Sequence, residues 1–386
     1  MSLFKDYFHD TPTYTEQQFR RRFRMSKPLF LRIVDRLSNH MVYFQPTHDA
    51  TGRASLSPLQ KCTAAIRMLA YGCAADAVDE YVRIGASTAR LCLEHFVEGV
   101  ISCFGDEYLR RPTPLDIQRL LYVGELRGFP GMLGSIDCMH WGWKNCPVAW
   151  QGQYSRGDKA GPTIVLEAVA SYDLWIWHAF FGTPGTCNDI NVLDRSPVFD
   201  DIFQGRAPPV KYTVNGNEYE LGYYLVDGIY PPWATFIPAV TRPVRAKDVV
   251  FTAHQESARK DVERAFGVLQ SRFAIIRYPA LVWDITKIAK IMRACIILHN
   301  MIVEDGRDRD MANYQFMADF EQRGESGATP VESSYTKRRP DYMKRYIESR
   351  TRVRDRASHK QLKSDLVEHI WGKFGNQPNE DAGYDN

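Results

Sequence analysis

The apolar positions of this sequence first change their spacing near residue 128. Up to residue 125 they recur at helical intervals, as Leu29, Ile33 and Leu37 show. Residues three and four apart share one face of a helix, so this spacing is typical of helices packed on a core. We therefore predict an all-helical N-terminal domain over residues 1–125.

Two consecutive helices of this domain, within residues 57–103, are separated by a turn at Gly85, and Ser87 is the predicted cap of the second helix. Helices joined by a short turn containing glycine are the helix-turn-helix pattern, whose second helix enters the major groove of DNA. Ser87, Thr88 and Arg90 would then contact DNA. Small helical bundles give the same pattern by packing alone, so both interpretations stay open.

The next region predicts a β-sheet. It contains four runs rich in β-branched and aromatic residues, at 133–141, 163–173, 174–183 and 222–228. The first three runs follow one another too closely for parallel crossovers, so we expect an antiparallel meander. Asn215-Gly216 predicts a hairpin before the fourth run.

Helical spacing then returns. The predicted helices are a short one near 188–193 and longer ones at 251–271, 284–304 and 358–374. Residues 306–336 between the last two are polar and poor in aliphatic side chains. The resulting domains are a sheet-containing domain over 126–305, a polar and basic linker over 306–357, and an amphipathic helix with an acidic tail over 358–386.

The composition is that of a folded chain without membrane spans. Of 386 residues, 44% are hydrophobic, and 49 Lys and Arg nearly balance 46 Asp and Glu, unlike the low hydrophobicity and high net charge of disordered chains. We find no apolar run of about 20 residues and no secretory-signal layout at the start. The eight cysteines lack C-x-x-C spacing and are expected to be reduced thiols. We therefore expect a soluble, intracellular protein.

Basic residues cluster in three windows. Residues 20–36 hold seven basic residues against one acid, residues 242–277 hold eight against four, and residues 337–356 hold nine against three. Such windows are the electrostatic footprint of a polyanion binder, and solvated helix faces are the alternative. Candidate DNA contacts in the first and last windows are Arg20, Arg21, Arg22, Lys337, Arg338 and Arg339.

Three acids stand where a charge is costly. Asp137 and Asp227 lie within apolar strand runs, and Glu263 lies on the helix that follows. Their oxygens, meeting across a mixed sheet, would hold two divalent cations such as Mg²⁺, the arrangement that cleaves phosphodiesters. Asp189 is either a fourth acid of that site or the first-turn carboxylate of its own helix.

The spacing alone also allows a purely structural interpretation, in which these acids cap turns and pair with Arg259, Arg264 or Lys144. Three histidines lack zinc-site partners and are expected to be hydrogen-bonded within the fold: His140, His178 and His299. Neither a phosphate-binding loop nor a GxGxxG motif is present, which removes support for nucleotide hydrolysis and dinucleotide redox chemistry.

Six ordered segments closely resemble the transposases of the PIF/Harbinger superfamily, and within it the Pong-like group. They are GSIDCMHWGWKNCP (134–147), QGQYSRGDKAGPTIVLEAV (151–169), GTCNDINVL (185–193), YYLVDGIYP (223–231), ESARKDVERAFGVLQSRF (256–273) and ILHNMIVED (297–305). The resemblance covers most of residues 1–304 and resumes at 358–371.

The resemblance implies an α/β fold with a ribonuclease-H-like mixed sheet flanked by helices, carrying a DDE triad. The triad falls on Asp137, Asp227 and Glu263, and Asp189 matches a further acid that some assignments take as the second member. It also implies two Mg²⁺ ions per site, with Mn²⁺ as a substitute. On the helix of Glu263, at least one of Arg259, Lys260 and Arg264 would hold a DNA phosphate, the alternative being a salt bridge that orients an acid.

The implied activity is cutting at terminal inverted repeats of an element and joining 3′ ends to an A·T-rich target. Implied partners are DNA and a Myb/SANT-like companion protein, with a homodimer or larger assembly acting in the nucleus. A domesticated, catalytically silent DNA- or chromatin-binding adaptor is the alternative. A phosphoesterase for small substrates is a third reading, against which the basic windows argue.

Overall fold

The computed structural model describes residues 2–48, 52, 54–307 and 339–375. Its first third is helical, as the sequence predicts. The helices there are α1 (Ser2–Tyr7), α2 (Glu16–Phe23), α3 (Lys27–His40), α4 (Pro58–Tyr71), α5 (Asp76–Val82), α6 (Ala86–Tyr108) and α7 (Pro114–Leu126).

Local sequence fixes where these helices begin. At the start of α4, Ser57 accepts a hydrogen bond from the backbone of Gln60 while the Gln60 side chain accepts one from the backbone of Ser57, a complete capping box. The predicted cap Ser87 is wrong, because α6 begins one residue earlier with Gly85 as its N-cap. Gly85 offers no side-chain oxygen, and Ser87 lies in the first turn instead.

The main sheet has five strands in the order β3-β2-β1-β6-β7. The strands of the structure are β1 (Met132–Gly142), β2 (Thr163–Ala170), β3 (Ile176–Pro184), β4 (Tyr212–Val214), β5 (Asn217–Tyr219), β6 (Tyr223–Val226) and β7 (Phe236–Pro238). The first three form the predicted antiparallel meander, and β6 and β7 extend the sheet in parallel to β1. This mixed sheet, flanked by helices, confirms the ribonuclease-H-like fold.

The predicted hairpin is the separate ribbon of β4 and β5. Asn215 and Gly216 form its two-residue turn with φ of 50° and 82°, the left-handed values that this turn type requires.

Further helices connect and cover the sheet. They are α8 (Val148–Tyr154), α9 (Asp189–Leu193), α10 (Asp200–Phe203), α11 (Ala246–Arg272), α12 (Ala274–Arg277), α13 (Ile285–Arg307), α14 (Arg339–Val353) and α15 (Arg356–Phe374). The predicted linker over 306–357 therefore contains a helix, α14, in which Val353 is fully buried and Tyr346 contacts Phe203 of α10. Residues 308–338 and the predicted acidic tail at 376–386 lie outside the described residues.

The N-terminal helices and the sheet share one hydrophobic core. A single cluster of buried side chains includes Phe30 and Phe96 from the helices, Trp141 from β1 and Ile297 from α13. Asn300 of α13 strengthens this junction, because its side chain bonds the backbones of α6 and β3 at 2.6 to 2.9 Å. The two predicted domains are thus packed as one body.

The last helix, α15, docks on the body as its amphipathic spacing predicts. Leu362, Leu366 and Ile370 are buried in a second cluster with Phe129 and Phe251. Among the described residues, no helix combines the length and the apolar character that crossing a bilayer requires.

Candidate active site

Asp137 lies in the middle of β1 on the face that meets α11. Two residues before it, Ser135 donates a hydrogen bond of 3.2 Å to the backbone carbonyl of Ala258 on α11, and residues two apart on a strand share a face. The backbone N–H of Cys138 donates to the Asp137 carboxylate at 2.8 Å. Only 20% of the Asp137 side chain is exposed, so a charge is held here at a cost in solvation.

Asp227 lies level with Asp137 at the end of the neighbouring strand. β6 runs parallel to β1 with Leu225 paired to Ser135, and each acid lies two residues farther along its strand. Asp227 follows the last residue of β6, is exposed, and accepts a hydrogen bond of 2.6 Å from the backbone of Gly228. The parallel register therefore places the two acids side by side.

Glu263 approaches from α11 together with Arg259, one helical turn before it. The Arg259 guanidinium nitrogen Nη1 lies 2.8 Å from Glu263 Oε1 and 3.5 Å from Asp137 Oδ2. Because residues four apart on a helix are neighbours, the first contact follows from sequence spacing, and the second requires the packing of α11 on β1. A single cation thus joins a strand acid to a helix acid.

Asp189 opens α9, where Asn188 is the N-cap and accepts a hydrogen bond from the backbone of Asn191. Burial raises the pKa of Asp189, and the negative charge of Asp227 raises this pKa further. Asp189 therefore interacts electrostatically with Asp137 and with Asp227, and Glu263 interacts with Asp137.

Burial and neighbouring acids raise the pKa of Asp137 to about 6, with burial as the main cause. Asp189 and Glu263 add to the rise, while the Cys138 backbone N–H and the Arg259 guanidinium oppose it. The folded protein thus disfavours the ionised form of Asp137, and a nearby cation stabilises that form.

The donor chemistry suits a hard divalent cation, because all four predicted ligands are carboxylates. The side-chain positions do not form a metal site as they stand. Among the described residues, no group of three or more His, Cys, Asp and Glu is arranged to hold a metal ion. Arg259 lies between Asp137 and Glu263, at the place where a positive charge is favoured. The carboxylates suit a divalent cation chemically, but the Arg259 guanidinium pairs with two of them.

The other predicted DNA contacts of α11 differ in their surroundings. Lys260 is exposed, whereas Arg264 pairs with Asp261, a fully buried acid that also pairs with Arg127 of the α7 C-terminus. Arg259 and Arg264 each form a salt bridge with an acid, which is the structural alternative to a DNA phosphate contact.

The predicted contacts in the first basic window lie on α2. Arg20 and Arg21 are exposed, while the Arg22 guanidinium lies 3.9 Å from the centre of the Tyr14 ring and donates to the Tyr7 hydroxyl. The surface of α2 therefore offers two free-standing cations, and Arg22 contributes to packing.

The predicted helix-turn-helix consists of α5, the turn at 83–85 and α6. Ser87 and Arg90 are exposed in the first turns of α6, and Thr88 is half-buried. In the last basic window, Lys337 and Arg338 lie outside the described residues, and Arg339 begins α14.

The histidines are hydrogen-bonded within the fold, as expected. Their partners are Thr163 for His140 at 3.0 Å, Ser196 for His178 at 3.1 Å and the Leu174 carbonyl for His299 at 2.8 Å. All eight cysteines are free, which agrees with the predicted reduced thiols.

Sequence reasoning did not single out two cations beside the acids, Arg156 and Lys159. Both lie in the loop between α8 and β2, and their positive charges help to lower the pKa of His140 below its usual value, although burial is the main cause. Arg156 also counteracts the rise in the pKa of Asp189. The signal was present in the sequence as two cations in a glycine-containing loop that leads into a strand.

Comparison with known proteins adds a family. A family model described as a plant transposon protein matches residues 106–310, which include all four acids, and a domain of unknown function matches residues 1–38. No solved structure matches the chain significantly.

Two curated relatives come from Arabidopsis thaliana. Protein ALP1-like is 24% identical over 259 residues, covering 66% of this chain and 63% of that protein. The protein named Antagonist of Like Heterochromatin Protein 1 is 24% identical over 307 residues, covering 76% of this chain and 75% of that protein.

Proposed function

Because the chain belongs to the plant transposon protein family, a Harbinger-type family of transposase-derived nucleases, we propose that it is a metal-dependent nuclease that cuts DNA. The observation that carries the proposal is the convergence of acids around Arg259. Asp137 and Glu263 share its guanidinium, Asp227 lies level with Asp137, and Asp189 is within electrostatic reach.

Asp137, Asp227 and Glu263 would hold the cations, with Asp189 as a further ligand. A pair of Mg²⁺ ions, or Mn²⁺ in their place, would activate an attacking oxygen and stabilise the leaving one during phosphodiester hydrolysis. The burial of Asp137 excludes water from one side of the site and aligns its carboxylate through the Cys138 backbone. Arg259, released from the acids, and exposed Lys260 would then bind a DNA phosphate.

The proposed substrates are the terminal inverted repeats of an element, with 3′ ends joined to an A·T-rich target. A Myb/SANT-like companion protein would supply much of the end recognition, since the helix-turn-helix of this chain exposes few cations. Cutting two ends of one element requires at least a homodimer, and the DNA substrate places the protein in the nucleus.

A catalytically silent DNA- or chromatin-binding adaptor is the second candidate, and one observation favours it. Arg259 neutralises Asp137 and Glu263 from within the chain, and a protein that never binds a metal would keep this ion pair permanently. One relative is itself named as an antagonist of a heterochromatin protein. In this role, α2 and the exposed face of α6 would bind DNA without cutting it.

A nicking assay on inverted-repeat duplexes in Mg²⁺, Mn²⁺ or EDTA separates the two candidates. We expect Asp137→Asn and Glu263→Gln to lower the rate by more than about 100-fold, the loss that even outer-shell partners of metal ligands can produce. The matched control is Asp194→Asn, an exposed acid just after α9 that pairs weakly with Arg354 at 3.9 Å. Equal nicking by Asp137→Asn and the parent protein would reject the nuclease, and DNA binding without nicking in every protein would support the adaptor.

A further inference from the structure

Two segments beyond the acid-bearing part of β1 form one continuous surface, residues 143–154 and 275–283. Two side chains of the first segment and one at the end of β1 join them by donating to backbone carbonyls within residues 278–282. These are Trp141, Trp143 and Asn145, at 2.7 to 2.8 Å. The backbone N–H of Lys144 also bonds the Ala280 carbonyl at 3.0 Å, so the two segments move as one unit.

This surface exposes large apolar side chains. Trp283 is 66% exposed and Trp150 is 42% exposed, and Trp150 packs at 6.0 Å between ring centres on the buried Trp143. The further exposed apolar residues are Val148, Tyr278 and Leu281. An exposed apolar surface of this kind marks a binding site, and the Trp150 ring is held against the buried Trp143 ring.

The charge of the surface selects the class of ligand. Neither segment contains an acid, whereas Lys144 and Arg277 are both exposed cations. The Arg277 guanidinium lies 5.0 Å from the centre of the Tyr278 ring and donates to its hydroxyl at 3.0 Å. The nearest acid in sequence after the second segment, Asp284, is engaged as the cap of α13 through the backbone of Thr286. Cations interleaved with exposed rings match a polyanion with free aromatic faces.

We propose that this aromatic and basic surface binds an unpaired DNA strand, with bases stacked on Trp283 and Trp150 and phosphates held by Lys144 and Arg277. The inference rests on the proposed nuclease function and extends it. Six residues of strand at about 3.3 Å each separate Asp137 from Trp143, so the surface begins about 20 Å from the acids. The loop that leads from this surface toward the acids carries Lys159 as a cation near His140, whereas Arg156 of the same loop pairs with Asp158 at 2.8 Å.

A duplex cannot occupy the surface in the same way, because its bases are stacked on one another and offer no free face. A second copy of this chain is the other occupant to consider. Two copies related by a two-fold axis would bring Lys144 and Arg277 toward their own counterparts without a compensating acid in either segment. Charge therefore favours the unpaired strand.

The test measures fluorescence anisotropy of a labelled oligothymidylate with the full chain in EDTA, where no cleavage occurs. We expect Trp283→Ala to weaken binding about tenfold, while Trp283→Phe, which keeps a stacking face, stays close to the parent protein. Trp371→Ala, which alters an exposed tryptophan on α15, is the matched control and should leave affinity unchanged. Binding of duplex DNA should be unaffected by all three substitutions.

A second variant tests the phosphate contacts independently of the tryptophans. Arg277→Gln should reduce the slope of log affinity against log salt by about 0.7, the value for one phosphate contact on a single strand. Because Arg277 is exposed, this variant is expected to fold even if Trp283→Ala does not.

Equal oligothymidylate binding by the parent protein and Trp283→Ala, or an unchanged salt slope in Arg277→Gln, would overturn the inference. Conversion of a dimer into a monomer by Trp283→Ala, measured by sedimentation with unchanged oligonucleotide affinity, would assign the surface to a second copy instead. Failure of the nuclease proposal gives another result: metal-dependent nicking is absent, while binding of the oligothymidylate in EDTA persists.

Discussion

Asp137 combines two properties that rarely occur together, a position in a buried strand and a charge. Its apolar neighbours in sequence made it a candidate, and in the structure the charges of Asp189 and Glu263 act on it. The second contact of Arg259, to Asp137, was beyond sequence reasoning. Helical spacing relates Arg259 to Glu263, but the approach to β1 depends on how α11 packs on the sheet.

The raised pKa of Asp137 predicts a stability penalty that depends on pH. The folded value is about 6 and the ordinary value is 3.8, so the folded state resists ionisation. The penalty is small near pH 4, vanishes well below that pH, where both states are protonated, and is complete above about pH 7, reaching roughly 3 kcal/mol. Asp137→Asn should therefore raise the free energy of unfolding in EDTA at about pH 8 and change it little at about pH 4.

Urea unfolding followed by circular dichroism at the two pH values measures this effect. Asp194→Asn serves as the control, because this acid is 59% exposed and lies outside the group of acids around Arg259. An equal gain for Asp137→Asn at both pH values would contradict the titration and indicate a change in packing.

At the scale of elements, the strand runs were predictable because β-branched and aromatic residues occur in uninterrupted stretches. The structure adds elements that the pattern did not predict, among them β7 and α14. β7 is only three residues long and shows no alternation, and α14 is highly charged with little apolar surface. Both form through tertiary contacts. At β1 the pairing changes from antiparallel to parallel, and β6 and β7 join the sheet on its parallel side.

Helix α15 should contribute strongly to stability through its buried face. Leu366→Ala removes a fully buried side chain from the cluster with Phe251 and is expected to cost about 2 to 5 kcal/mol. Ser364→Ala on the exposed face of the same helix should change stability by less than about 0.5 kcal/mol. Denaturant unfolding compares the two, and similar values would mean that α15 does not dock in solution.

The hairpin of β4 and β5 presses against the start of β1 at Gly131. A methyl group added at Gly131 would lie 2.2 Å from the Tyr212 ring, and the residue has a φ of +88°. Gly216 in the hairpin turn has a similar φ of +82° with open space around it. Gly131→Ala should therefore lose about 1 to 3 kcal/mol more than Gly216→Ala, because overpacking is added to the same backbone strain.

Thermal unfolding of the two glycine variants checks this difference. Equal losses would show that Tyr212 moves aside without cost. The comparison isolates packing, since both substitutions demand a left-handed backbone from alanine.

At the scale of the whole molecule, the proposed metal site predicts that binding of Mg²⁺ is linked to stability. Mg²⁺ at about ten times its dissociation constant should stabilise the parent protein by roughly 1.4 kcal/mol. Asp137→Asn combined with Glu263→Gln should abolish this shift. Arg259→Gln should increase it without DNA, because the competing guanidinium is removed.

Differential scanning calorimetry with Mg²⁺ and with EDTA measures these shifts. Ser364→Ala is the control that should respond as the parent protein does. A Mg²⁺ shift that survives the double substitution would place the cation elsewhere on the chain.

The hydrophobic cluster that runs from Phe30 through Trp141 to Ile297 has a consequence for the gene. Division of the chain near residue 125 would expose the apolar faces of β3 and α13 on one fragment and those of α4 and α6 on the other. A damaged gene copy that retains every acid but loses its first third would therefore encode a fragment whose half of the core faces water, and such a fragment is expected to aggregate.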